Sequence, residues 1–223
     1  MREVVYDDVR WRLLESLRFR ALDVMTHLEK HGFYSIVYGS VARGDVKPTS
    51  DLDVFVPDVV PLQLLEYAVS LHTAVVKRVL VQATPYYAAK AYLYINDRDT
   101  VSAPMVPLNR DEQGFYILAG SLTLEELRKG VRKPGIDKNL NLIIPTSKGH
   151  VEKPLRENFE EAVKTLGVSP DILSSRMRVL LKRREKGRTG VFQSIELEKD
   201  MAFETAFHKL LAKSPALRKR VHG

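Results

Sequence analysis

The sequence predicts an α+β chain of α/β-like build: a small mixed sheet with helices, followed by a basic, mainly helical C-terminal region. β-rich runs alternate with amphipathic stretches in the first half, and glycine, proline and serine clusters separate them at turn positions. From Leu155 onward the composition turns helical and basic. The 223 residues suffice for one domain or two small ones. Hydrophobic residues at 44% and charged ones at 28% exclude disordered and fibrous classes. The expected division is a core over 1–108, an elaboration or linker subdomain over 109–154, and the basic region over 155–223.

The elements follow in order. From Asp7 to Lys30, Val9, Leu13, Leu17, Ala21, Met25 and Leu28 recur at three- and four-residue spacing, which predicts one helix with a buried stripe ended by His31-Gly32. Phe33–Gly39 reads as a strand, Ser40–Arg43 as a short helical turn, and Leu52–Pro57 as a second strand. Pro61 opens a helix to about Thr73, with Leu64, Leu65, Ala68, Val69 and Leu71 on one side. Two strands, in VVKRVLVQ and AYLYIN, are expected next, the latter turning through NDRD into TVSAPMVPL. In the middle region GFYILAG reads as a strand. Thr123 and Glu126 have capping-box spacing with Gly130 closing the turn, and NLNLIIPT reads as a strand. A helix, a turn at Gly167-Val168-Ser169, a second helix from Pro170 to Lys186 and a hairpin through Gly187 and Gly190 complete the reading.

Thirty-five Lys and Arg against 28 Asp and Glu leave a net charge of +7, which points to a polyanionic partner. Without cysteine there is no disulfide framework, thiolate metal site or Cys nucleophile, and a cytoplasmic setting is expected. The N-terminus is too charged for a secretory signal, and no segment reaches the roughly 18 apolar residues of a membrane span. No membrane partner is expected. The six histidines show no HxH or HExxH spacing.

The chemistry concentrates in YGSVARGDVKPTSDLDVFV, Tyr38 to Val56. Strand alternation puts Asp51 and Asp53 on one face. At about 4 Å and an effective dielectric near 20, two such charges repel by roughly 4 kcal/mol, enough to force protonation or recruit a cation. Hard oxygen ligands with open positions suit Mg²⁺ or Mn²⁺. Gly39 lets a backbone approach closely, and amides at the start of the following turn point toward an anion, so Gly39-Ser40 can receive a triphosphate with Arg43 and Lys47 adding positive charge.

With these residues in view, the segment resembles the nucleotidyltransferase superfamily of DNA polymerase beta, CCA-adding enzymes and poly(A) polymerases. The GS-x-ARG…SDLD spelling is closest to the small prokaryotic, archaeal members. The resemblance covers Asp7 to Val59 well and the next stretch weakly. It implies a polymerase-beta-type core in which Gly39 and Ser40 bind the NTP and Asp51 and Asp53 hold metal and serve catalysis. It also implies a third carboxylate on a later strand that deprotonates the acceptor hydroxyl. That acid has no clear match. Asp97 and Asp99 are the candidates, both at the expected turn.

Arg176, Arg178, Lys182, Arg183, Lys186 and Arg188 crowd the second C-terminal helix and its exit. Together with the turn and glycine hairpin they resemble a winged-helix DNA-binding domain, and phosphate neutralisation is their expected use. The expected activity is transfer of a nucleoside monophosphate from an NTP to a hydroxyl with release of pyrophosphate, RNA being favoured over DNA as acceptor. Modification of a protein or small molecule, and a degenerate fold kept as a nucleic-acid-binding or regulatory module, are the alternatives. A solvated helix face is the alternative reading of the basic cluster.

Overall fold

The computed structural model describes residues 1–186 and 191–222, apart from the side chains of Arg183, Lys186 and His222. The chain opens with β1 (Arg2–Val5) and α1 (Asp8–Lys30), then β2 (Ile36–Tyr38), α2 (Ser40–Arg43), β3 (Leu52–Phe55) and α3 (Leu62–His72). β4 (Lys77–Gln82), β5 (Ala89–Tyr94) and β6 (Asp99–Pro104) follow, then α4 (Arg110–Ala119), β7 (Ser121–Thr123) and α5 (Leu124–Arg128). The rest comprises β8 (Gly135–Ile136), β9 (Asn141–Thr146), β10 (Gly149–Pro154), α6 (Phe159–Leu166), α7 (Pro170–Lys186), β11 (Gln193–Glu196), α8 (Phe203–Lys213) and α9 (Pro215–His222). Two compact units result. One takes Met1–Asp23, Ile36–Leu52 and Arg110–Thr189, and the other Val24–Ser35, Asp53–Asn109 and Gly190–Gly223.

The first unit holds the sheet β1-β10-β9-β8 and the antiparallel pair β2-β7. A Cβ on Gly149 would stand 2.0 Å from the carbonyl oxygen of Val4, so only glycine lets β1 lie against β10 at this point. The core joins Leu118 of α4, Ile136 of β8 and Leu142 of β9 to Leu166 of α6 and Leu173 and Leu180 of α7. α5 begins with the capping box the sequence predicts, Thr123 accepting from the Glu126 amide and Glu126 from the Thr123 amide. Tyr6 and His150 share a 2.6 Å hydrogen bond, and burial pushes the Tyr6 phenol up to about 12.

The second unit holds strands in the order β11-β4-β5-β6-β3. β4, β5 and β6 form antiparallel pairs, with β11 added along β4 so that Ile195 faces Leu80. Arg78 of β4 gathers the surrounding elements. It pairs with Glu66 of α3 at 3.3 Å, donates to the carbonyls of Lys199 and Met201, and lies 5.6 Å from the Phe203 ring centroid of α8.

Three readings of the sequence are corrected. GFYILAG, up to Ala119, lies in α4, a helix, which packs through Gly114 on Ile172 of α7 where a Cβ would meet it at 2.7 Å. On α1 the buried face runs through Leu14, Leu17, Ala21, Val24, Met25 and Leu28, leaving Val9 exposed. On α3, Leu62 joins Leu65, Ala68 and Val69 inside, whereas Leu64 and Leu71 face solvent. The hairpin expected through Gly187 and Gly190 lies outside the described residues. Among the described residues no helix is long and apolar enough to cross a membrane.

Candidate active site

β2 delivers the chain to Gly39, whose φ of 82° and ψ of −145° suit glycine alone. Its amide donates to the carbonyl of Gly120 at 2.9 Å, and nothing lies within 4 Å of where a Cβ would stand. α2 follows at once and ends at Gly44 in the left-handed region. The loop beyond it folds back through Ser50. The Lys47 amide donates to Ser50 Oγ at 2.9 Å, and Ser40 Oγ donates to the same oxygen at 3.2 Å. Ser40 is therefore tied to the residue immediately before Asp51, and Lys47 projects its side chain into solvent.

Two arginines hold α2 from inside the first unit. Arg43 is buried. Its Nε and Nη2 donate to the two carboxylate oxygens of Asp45 at 3.0 and 2.9 Å, and its Nη1 donates to the carbonyl of Ala119 at 2.6 Å. These bonds make Arg43 a clamp between α2 and the end of α4. Arg18 donates to the carbonyls of Val41 and Ala42, both at 3.2 Å, and to that of Val131 at 2.7 Å. Burial, with the Arg132 charge nearby, holds Arg18 down at about 10. Nothing in its spacing from α2 announced this role.

Asp51 is exposed and immediately precedes β3. In the second unit Asp53 is the half-buried position of β3, between buried Leu52 and Val54. Thr100 of β6 donates through Oγ1 to Asp53 Oδ1 at 2.8 Å. Tyr94 stands opposite Thr100 and Tyr92 opposite Ser102, so alternation puts these hydroxyl side chains on one face of the sheet. Tyr92 is pushed up by burial first and then by the Asp53 charge.

The two further acids fall elsewhere. Asp97 is exposed in the turn between β5 and β6. Asp99 opens β6, and its alternation with Thr100 sends its side chain to the opposite face. There it is 2% exposed and accepts from Asn96 Nδ2 at 2.9 Å, closing the turn. Among the described residues no group of three or more His, Asp or Glu side chains is disposed to hold a metal. No short-range pattern marks Thr100, because its partner Asp53 lies 47 residues earlier in the chain.

On α7, the Arg176 guanidinium lies 4.8 Å from the Phe115 ring centroid, Arg178 donates to Ser175 Oγ at 3.2 Å, and Lys182 is exposed. Arg183 and Lys186 belong to the helix, and Arg188 lies outside the described residues.

Residues 21–81 match the nucleotidyltransferase domain. No curated protein and no solved structure gives a significant match. The nucleotidyltransferase match encloses Gly39, Ser40, Arg43, Lys47, Asp51 and Asp53. Asp97, Asp99, Thr100 and α7 lie beyond it.

Proposed function

We propose that the protein transfers a nucleoside monophosphate from an NTP to a hydroxyl of RNA, releasing pyrophosphate, with Mg²⁺ or Mn²⁺ bound by Asp51 and Asp53. The observation that carries this reading is the nucleotidyltransferase match at residues 21–81, which contains both the Gly39-Ser40 turn and the aspartate pair. The donor set suits such a cation: two hard carboxylates, one of them exposed, leave positions for water and for phosphate oxygens, as Mg²⁺ requires. When bound, the metal would neutralise charge on the α-phosphate and on the leaving pyrophosphate.

The chain's own residues then have distinct tasks. Gly39, with open space beside its α-carbon, lets the triphosphate approach the backbone, while Ser40 and Ser50 brace the loop that leads to Asp51. Thr100 orients Asp53. The acceptor oxygen bonds to the α-phosphorus, the bond to pyrophosphate breaks, and the acceptor proton leaves to water. The basic face of α7, in a segment with winged-helix character, is the dock for RNA through Arg178 and Lys182.

A second reading has its own observation. The sheet face around Asp53 offers hydroxyls where the resemblance implies a third carboxylate, as expected of a fold retained for binding alone. Incubation with each labelled NTP and with RNA, DNA and protein acceptors separates the two. Incorporation into RNA that vanishes in Asp51→Ala/Asp53→Ala supports transfer. RNA binding with no incorporation from any NTP supports the binding module.

A further inference from the structure

The first unit contains a cleft of 460 Å³ lined by Asn139, Leu140, Asn141, Pro154, Leu155 and Arg156 and, from α7, by Leu181, Arg184 and Glu185. Its size lies within the roughly 300–1,000 Å³ that small-molecule sites occupy. We propose that this cleft seats one ribonucleotide of a single-stranded RNA. The inference deepens the acceptor proposed above, yet it concerns binding and requires no transfer.

The chemistry of the lining selects the ligand. Leu181 is partly exposed on the edge of the hydrophobic core and, with the 8% of Leu140 that remains accessible, provides the apolar contact for the flat face of a base, while Leu155 lies fully buried beneath them. Asn139 offers an exposed carboxamide, which pairs with base edges as donor and acceptor together, while the Asn141 Nδ2 donates to Asp137 Oδ2 at 3.4 Å and leaves its carboxamide oxygen as acceptor. Arg156 and Arg184 are exposed and, among the described residues, have neither hydrogen-bond nor ion-pair partners, so their guanidinium forks remain available to a phosphate. Glu185 accepts hydrogen bonds only, and the ribose 2′-hydroxyl is the donor that an RNA strand brings.

The backbone is built for this geometry at a cost. Leu140 is the one non-glycine with positive φ among the described residues, at 64°, a conformation that a leucine adopts only when its surroundings hold it there. Asp137 holds the turn in place, its Oδ1 accepting from the amides of Asn139 and Asn141 at 2.9 and 2.8 Å. The turn thereby places both carboxamide residues at the cleft. A strand is favoured over a free mononucleotide because Arg178 and Lys182, one turn back along α7 from Leu181 and Glu185, extend the positive surface to the next phosphates.

Fluorescence anisotropy with an end-labelled single-stranded RNA octamer and the full chain tests the proposal. Arg156→Ala/Arg184→Ala is expected to weaken binding roughly tenfold or more, and Asn139→Ala to reduce discrimination among homopolymers. Glu185→Gln is expected to narrow the preference for RNA over DNA of the same sequence. Asp51→Ala/Asp53→Ala should bind as the wild type does, so that failure of transfer and failure of the cleft are told apart. Unchanged affinity in the double arginine variant, with its melting temperature intact, overturns the proposal. So does a mononucleotide whose own affinity falls as far as that of the RNA in the double arginine variant, which assigns the cleft to free nucleotides.

Discussion

Asp53 owes its orientation to Thr100, a residue forty-seven positions later in the chain. A carboxylate held by a fixed donor keeps one geometry, and outer partners of this kind typically contribute 10–100-fold to the affinity or activity of a metal site. Thr100→Val retains the shape and removes the donor. Incorporation of labelled nucleotide is expected to fall about tenfold with little change in the KM for NTP, and Thr100→Ser should restore most of it. Equal loss in the serine variant would assign Thr100 a packing role instead.

At the scale of elements, α2 is too short to be stable alone and depends on what grips it. Arg18 and Arg43 do so from below, binding carbonyls within α2 and at the end of α4. The Arg43–Asp45 pair is nearly sequestered, with side chains 7% and 11% exposed. Removing one partner of a buried pair leaves the other charge uncompensated, so Arg43→Ala is expected to lose about 3–5 kcal/mol in urea denaturation. A loss within ±0.5 kcal/mol, as at an ordinary surface site, would show that the clamp is dispensable. The helix α4 illustrates a second point. Phe115–Leu118 is a short aromatic and aliphatic run that suits strand or helix equally, and the acids Asp111 and Glu112 in its first turn were the available helix signal.

For the molecule as a whole, titration at high pH reports on the first unit. The folded Tyr6 phenol is held up at about 12 against an ordinary value of 10.0. Between these pH values the unfolded chain releases the proton and the folded chain keeps it, so Tyr6 lowers stability as pH rises, by up to about 1.4 kcal/mol per pH unit. Arg18, held down at about 10, acts in the opposite sense, because its folded form releases a proton the unfolded form retains. Comparison isolates the phenol: Tyr6→Phe should lose stability less steeply than the wild type over this window. Parallel slopes in denaturant titrations would show that Tyr6 ionises alike in both states.

What the sequence by itself determined is local. The Gly39-Ser40 turn and the strand from Leu52 that carries Asp53 are set by neighbours in the chain, as are the Thr123–Glu126 cap and most helices and strands, because glycine conformations, side-chain periodicity and capping act over a few residues. Only the tertiary structure decided which hydroxyl meets Asp53, that Arg43 turns inward to Asp45 and Ala119, and which face of α3 is buried. It alone assembled the cleft from Asn139–Asn141, Pro154–Arg156 and the C-terminal turns of α7. Each of these joins groups distant in sequence or chooses between surfaces of similar polarity, and that choice follows from packing and desolvation, which no short-range pattern encodes.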